Sequence, residues 1–175
     1  QEFASNYQTC INKSLDIWHW NPNQLQDALD NIRREAISKD YANWIVLHKP
    51  FLHVIQFINK LEQEDFAWTV LSTKSAEFTS ELLKTFKLNP LKVYGHESGS
   101  KAEVLLELTQ CHTIKGFIED RRSTLEEVLR TPGIADITCY LASWGYLKPK
   151  DLEALPPNIH LLQPKTLTAP LAAWH

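Results

Sequence analysis

The chain has 175 residues, of which 43% are hydrophobic and 22% are charged, and its formal net charge is −3. This length suffices for one well-buried domain with a small appendage. The near balance of charge predicts no affinity for nucleic acid or for an anionic membrane surface, and no apolar run is long enough to cross a bilayer. Three widely spaced cysteines argue against a disulfide framework or a zinc site and indicate a cytoplasmic protein.

Helical patterns dominate the first third of the chain. Asn21-Pro22-Asn23-Gln24 combines an N-cap residue, a proline at the first helical position and a glutamine three residues after the cap, which predicts a capping box. Apolar residues then recur at helical spacing as far as Ala36. A second amphipathic helix is predicted to begin at Pro50 and to continue to Leu61.

From residue 66 onward, short apolar runs alternate with amphipathic segments. Strands are predicted at residues 66–71, 91–94, 114–118, 136–142 and 159–162, with helices between them. The patterns Ser100-x-x-Glu103 and Ser123-x-x-Glu126 predict capping boxes at the start of two of these helices. Alternation with short connections, together with nearly uniformly apolar strands, predicts an α/β fold: a Rossmann-like parallel sheet covered by helices.

Ligands of such sheets bind at the carboxyl ends of the strands, so the residues that follow each strand are candidate site residues. Ser72 and Thr73 follow the first strand and offer hydroxyl groups to an anion, although taken alone they are more often explained as a helix N-cap. Lys101 lies in the first turn of a helix, where the helix dipole disfavours a cation. This position is a mild indication of a functional lysine rather than a solvated one.

The third strand is followed by two adjacent acids, Glu119 and Asp120, and then by Arg121 and Arg122. Hard carboxylate oxygens at a strand end suit Mg²⁺, which takes one or two carboxylates together with phosphate oxygens and waters. The competing interpretation is an acidic loop whose charges pair with its own arginines.

These candidate residues occur in a characteristic order: a hydroxyl at one strand end, a lysine at the start of a later helix and then an acidic pair. This order resembles that of motifs II, III and IV of the haloacid dehalogenase (HAD) superfamily. Ser72, with Thr73 as second choice, matches motif II, Lys101 matches motif III, and Glu119-Asp120 matches motif IV. The chain most resembles uncharacterised cyanobacterial members that have a helical cap. The resemblance implies a cap remnant at residues 1–44 and a HAD-like core at residues 45–175.

The resemblance implies a magnesium-dependent phosphatase acting on a small phosphorylated substrate. The catalytic residues would be Ser72, Thr73 and Lys101, and the metal ligands would be Glu119 and Asp120. Motif I of that superfamily, an apolar strand ending in Asp-x-Asp that supplies the nucleophile, has no counterpart in these residues. We therefore expect a missing N-terminal segment of the same protein to carry it, and the chain alone to be inactive.

Absence of the nucleophile leaves a second function open, a non-catalytic HAD-like binding or scaffold protein. A receiver-like signalling domain is disfavoured because its acidic pair would follow the first strand. The HAD resemblance also makes a topological prediction. Residues 67–71 and 114–118 should not pair with each other, because the motif I strand lies between their counterparts in that fold.

Overall fold

The computed structural model describes residues 6–174 of the chain and divides it into two compact units. The first unit ends at His48 and the second begins at Lys49, whereas the sequence interpretation had placed this boundary between residues 44 and 45. None of the helices described in residues 6–174 is long and apolar enough to cross a membrane.

The first unit is helical. It contains α1 (Tyr7–Trp18), α2 (Pro22–Lys39) and α3 (Tyr41–Val46). The predicted capping box at the start of α2 is present, because Asn21 and Gln24 each accept a hydrogen bond from the other's backbone N–H. Asp40 then caps α3 through the backbone N–H of Asn43 at 2.9 Å.

Strands and helices alternate in the second unit, as the sequence pattern predicts. Four short 3₁₀ segments complete it, the first at His96–Ser98 and the other three after the fourth strand. The regular elements, in chain order, are α4 (Leu52–Gln63), β1 (Thr69–Leu71), α5 (Ala76–Thr85), β2 (Lys92–Tyr94), α6 (Lys101–Thr109), β3 (Phe117–Glu119), α7 (Arg122–Arg130), β4 (Cys139–Ala142) and β5 (Ile159–Leu162).

All of the strand pairings in this unit are parallel, and they form two separate sheets. In one, β1 pairs with β2, with Val70 opposite Val93. In the other, β4 lies between β3 and β5, with Ile118 opposite Tyr140. No hydrogen bond joins β1 to β3 within residues 6–174, in agreement with the predicted lack of pairing between these segments. The fold class is therefore α/β with small parallel sheets.

The hydrophobic core lies mainly around the three-stranded sheet. Leu141 on β4 and Leu125 and Val128 on α7 are fully enclosed. A second cluster packs on the Tyr140 side of the same strand and includes Phe57 of α4 and Trp174 near the carboxyl end. The strand β4 is buried along its whole length, as expected for a central parallel strand covered on both faces.

Several element boundaries differ from those predicted. The strand β1 covers only the last part of residues 66–71, and β3 is displaced toward Glu119, which is its last residue. The capping box predicted at Ser123–Glu126 is wrong. The helix α7 begins at Arg122, and Glu126 accepts a hydrogen bond from the guanidinium of Arg122 at 2.7 Å instead.

Candidate functional site

Lys101 and Glu119 form an ion pair between the start of α6 and the carboxyl end of β3. Ser100 and Glu103 fix the start of α6 by a capping box. The Ser100 hydroxyl accepts from the backbone N–H of Glu103, and the Glu103 carboxylate accepts from the backbone N–H of Ser100. The side chain of Lys101 is 20% exposed and that of Glu119 is 5% exposed. Lys101 is therefore not a solvated lysine but the partner of a buried carboxylate.

The second carboxylate oxygen of Glu119 is held by the backbone. Glu119 Oε1 accepts hydrogen bonds from the N–H groups of Asp120 and Arg121, each at 3.1 Å. Burial raises the pKa of Glu119 above its ordinary value, and the neighbouring Asp120 carboxyl raises it further, while the Lys101 ammonium opposes both effects. Both oxygens of Glu119 are thus engaged within the protein.

Asp120, which follows β3, packs tightly against Gly145. A Cβ atom at residue 145 would lie 2.2 Å from the Asp120 Cβ and 2.9 Å from its Oδ2. Only glycine leaves room for the aspartate at this place. The loop after β4 therefore determines the position of a side chain at the end of β3, a relationship that sequence spacing does not reveal.

Ser72 and Thr73 lie in the turn that follows β1. The Ser72 hydroxyl accepts a hydrogen bond from the backbone N–H of Lys74 at 3.0 Å, and Thr73 is exposed. The N-cap of α5 is Ser75, whose hydroxyl accepts from the N–H of Phe78. The N-cap interpretation of Ser72 and Thr73 is therefore wrong, and the Ser72 hydroxyl retains its own proton for donation to another group.

The carboxyl ends of β1 and β2 lie at the same end of their sheet, because the two strands are parallel. Lys101 follows the end of β2 through a short connection and contacts Glu119 at the end of β3, and β1 is parallel to β2. However, none of the hydrogen bonds or ion pairs found among residues 6–174 joins Ser72 or Thr73 to Lys101, Glu119 or Asp120. The structure brings together the lysine and the acidic pair, and leaves the hydroxyl residues uncoupled from them.

The two arginines after Asp120 do not neutralise the acidic pair. Arg122 donates to Glu126 and to the backbone carbonyl oxygens of Glu153 and Ala154, at 2.5 and 3.2 Å. In the described part of the chain, no ion pair joins Arg121 or Arg122 to Glu119 or Asp120. The interpretation of an acidic loop paired with its own arginines does not hold.

Glu119 and Asp120 account for only part of a metal site. Across the described residues, no group of three or more histidine, cysteine, aspartate or glutamate side chains is arranged to hold a metal ion. Because both oxygens of Glu119 are engaged, Asp120 is the better candidate ligand and Glu119 the residue that positions Lys101. A Mg²⁺ ion needs about six oxygen ligands, so Asp120 fits as one contributor beside waters, phosphate oxygens and a further carboxylate.

Comparison with known proteins identified no relative. No protein-family model, no curated protein sequence and no solved structure matches the chain.

Proposed function

We propose that this chain forms part of a HAD-like, magnesium-dependent phosphatase that acts on a small phosphate ester. The supporting observation is the contact between Lys101 and Glu119 beside Asp120, at the carboxyl ends of parallel strands. This is the edge at which open α/β sheets bind their ligands. A half-buried lysine that is held by one carboxylate beside a second one suits a site for a phosphate group and a divalent cation.

In this proposal, each side chain has a distinct role. The Lys101 ammonium, fixed by Glu119, offsets the negative charge that a phosphate brings beside two carboxylates. The Ser72 hydroxyl accepts from the backbone N–H of Lys74 and donates its own proton to a phosphate oxygen. Asp120 is a ligand of Mg²⁺, which polarises the phosphoryl group when it is bound. Thr73 is exposed and is the weaker candidate of the hydroxyl pair.

None of these residues is an attacking carboxylate, and the sequence contains no Asp-x-Asp. We therefore expect these 175 residues alone to leave phosphate esters intact. The three cysteines are free thiols, spread from the exposed Cys111 to the buried Cys139. Free thiols agree with the reducing cytoplasm as the compartment in which the protein acts.

The decisive experiment measures magnesium-dependent hydrolysis of para-nitrophenyl phosphate by the full-length gene product. We expect Lys101→Ala and Asp120→Asn each to lower kcat by at least about a hundredfold, because groups that stabilise developing charge contribute that much. Lys84→Ala and Asp136→Asn are matched controls, since both of these residues are exposed, and they should retain activity.

Two results would contradict the proposal. One is a full-length protein without magnesium-dependent activity, which would favour a binding or scaffold function. The other is near-normal turnover in either site variant, which would show that the lysine and the acidic pair have a structural role only.

A further inference from the structure

The turn that follows β4 carries an aromatic residue on each side of Gly145. Trp144, Gly145 and Tyr146 lie just past the carboxyl end of this central strand, and we call them the aromatic turn. Gly145 is the residue that packs tightly against Asp120, because a Cβ atom at its position would lie 2.2 Å from the Asp120 Cβ. Two rings therefore flank the point at which the turn contacts the candidate magnesium ligand.

Hydrogen bonds to the neighbouring strand hold the start of the aromatic turn. The Ser143 N–H donates to the carbonyl oxygen of Leu162 at 3.0 Å, and the Ser143 hydroxyl donates to Gln163 Oε1 at 3.1 Å. The Gly145 N–H then donates to the carbonyl oxygen of Ala142 at 3.2 Å, which closes a tight turn. The two rings are therefore carried by a backbone that is fixed to the edge of the sheet.

His53 of α4 supports the indole ring of Trp144. The two ring centroids lie 4.9 Å apart, and the rings meet edge-on at an interplanar angle of 82°. His53 Nε2 is enclosed and has no hydrogen-bond partner among residues 6–174, so this ring serves as a packing surface for the indole. Trp144 also packs against the hydrophobic cluster around Tyr140. Because the indole is half-buried among these groups, its orientation is set before any ligand binds.

Exposed rings extend this surface at both ends. Tyr146 is 98% exposed, and Phe51, directly before α4, is 53% exposed. The ring centroids of Phe51 and His53 lie 5.6 Å apart, so Phe51, His53 and Trp144 form a connected series. Single exposed apolar residues are normal on a protein surface, whereas adjoining ones mark a binding site. The aromatic turn with its supporting rings is such a group.

We propose that the aromatic turn binds a planar aromatic ring borne by the phosphate ester, so that the substrates are nucleoside monophosphates or simple aryl phosphates. This inference rests on the proposed function, which assigns the phosphate group to Lys101 and Asp120. The organic part of an ester held there extends toward a neighbouring surface, and Gly145 brings Trp144 and Tyr146 next to Asp120. Aromatic pairs pack offset or edge-on with centroids about 4.5 to 7 Å apart, a geometry open to both rings because neither is enclosed.

The chemistry of the aromatic turn favours a neutral planar ring over other organic groups. Tyrosine and tryptophan present a large contact area and lose little conformational freedom when they stack, because each has only two side-chain torsions. The Asp120 carboxylate beside the turn disfavours a second anionic group on the organic part. A flexible aliphatic chain gains less, since a ring as exposed as that of Tyr146 covers one side of it and leaves the remainder in water.

The first experiment measures ring binding without any turnover. Adenosine, phenol and ribose are added separately to the ¹⁵N-labelled 175-residue chain, and ¹H–¹⁵N NMR spectra are recorded. We expect adenosine or phenol to shift the backbone amide signals of Trp144, Gly145 and Tyr146 and the indole N–H signal of Trp144. Ribose is the control without a ring and should leave these signals in place. A response to adenosine alone identifies a nucleobase site, and a response to both compounds identifies a site for any planar ring.

A set of variants tests the location. Tyr146→Ala should weaken ring binding by at least about fivefold, because stacking on one aromatic side chain contributes that much. Tyr146→Phe keeps the ring and should bind normally. Tyr41→Ala is the matched control, since Tyr41 is an exposed tyrosine of the helical unit and should not affect binding. The high exposure of Tyr146 means that its replacement leaves the fold intact, which circular dichroism confirms.

The second experiment uses the full-length gene product and compares kcat/KM for para-nitrophenyl phosphate and adenosine 5′-monophosphate with that for glycerol 3-phosphate. Tyr146→Ala should lower the ratio of the preferred ring-bearing ester to glycerol 3-phosphate by at least about fivefold, through KM, because only the ring loses a contact. Tyr146→Phe should restore the ratio. A purely structural role would lower kcat/KM for all three esters alike.

Two results would overturn the inference and leave the proposed function standing. One is an absence of shifts in the aromatic turn at millimolar adenosine and phenol, in a protein that hydrolyses phosphate esters. The other is an unchanged ratio of kcat/KM values in Tyr146→Ala. Conversely, ring-induced shifts that are lost in Tyr146→Ala support the ring site even if the full-length protein has no phosphatase activity, a result that would contradict only the proposed function.

Discussion

The ammonium of Lys101 contacts the carboxylate of Glu119, although the two residues lie on different elements and 18 positions apart in the chain. Both charged groups are partly removed from water, and the attraction between them offsets part of the free-energy cost of that desolvation. The helix dipole disfavours a lysine at the start of α6. The attraction between Lys101 and the buried Glu119 carboxylate compensates for this unfavourable interaction with the helix dipole.

Removal of Lys101 should destabilise the second unit. Lys101→Met leaves the buried Glu119 carboxylate without its counter-charge, and we expect a loss of about 2 to 3 kcal/mol in the free energy of unfolding, discounted for partial exposure. The double variant Lys101→Met/Glu119→Gln should recover part of this loss, because no uncompensated charge remains. Urea denaturation at pH 7 measures both. If the losses caused by Lys101→Met and by Glu119→Gln alone add up to the loss in the double variant, the two residues are not coupled.

Stability should depend on pH through Glu119. Its pKa is raised in the folded protein above the ordinary value of 4.5, first by burial, so the folded state binds the proton more tightly than the unfolded chain. The stability that this group contributes is therefore fully present below pH 4.5 and is lost as the pH rises through the raised pKa. As the pH increases through the raised pKa, the free energy of unfolding of the wild-type protein should decrease relative to that of Glu119→Gln. Urea midpoints measure this difference. A relative increase with pH would mean that the pKa is lowered.

Gly145→Ala should displace Asp120. The added methyl group would lie 2.2 Å from the Asp120 Cβ, and relief of this overlap requires movement of the loop or of the aspartate. We expect a loss of about 1 to 3 kcal/mol in thermal or urea unfolding, the usual range for overpacking. Tyr146→Ala, at the adjacent residue with 98% exposure, is the control and should be neutral. Equal stability of both variants would show that the close approach is not required.

Reactivity of the three cysteines should follow burial. Burial raises the pKa of the Cys139 thiol to about 11, so it remains protonated and inaccessible at neutral pH. Cys111 is exposed and should react first with iodoacetamide, whereas Cys139 should react only when urea unfolds the protein. Mass spectrometry of tryptic peptides gives the order. Early modification of Cys139 would contradict the packing of β4.

Arg122 should hold the loop formed by residues 150–154 against α7. Its guanidinium donates to the carbonyl oxygens of Glu153 and Ala154, and hydrogen bonds from charged donors contribute about 1.5 to 3 kcal/mol. Arg122→Ala should therefore increase trypsin cleavage after Lys150 by about tenfold or more. Arg130→Ala, an exposed arginine on the same helix, is the control and should leave this rate unchanged.

The sequence predicted elements and local caps better than it predicted contacts across the fold. Alternation of apolar runs predicts each of the five strands found in residues 6–174, and Lys101 stands out in the sequence because a lysine at a helix start opposes the helix dipole. The tight packing of Gly145 against Asp120 was not predictable, because it joins the ends of two different strands. The predicted capping box of Ser123 and Glu126 does not form, because the Glu126 carboxylate instead accepts a hydrogen bond from Arg122, one helical turn before it.

Trp174 packs beside Phe57, with their ring centroids 4.7 Å apart, and meets the Tyr140 ring edge-on. It is nearly fully buried and lies in the wall of a cavity of about 550 Å³ in the second unit, together with Trp68 and Trp144. Half of the six tryptophans in the chain therefore border this one space. Intrinsic fluorescence consequently offers an optical signal for any molecule that enters it, without a dye or an engineered label.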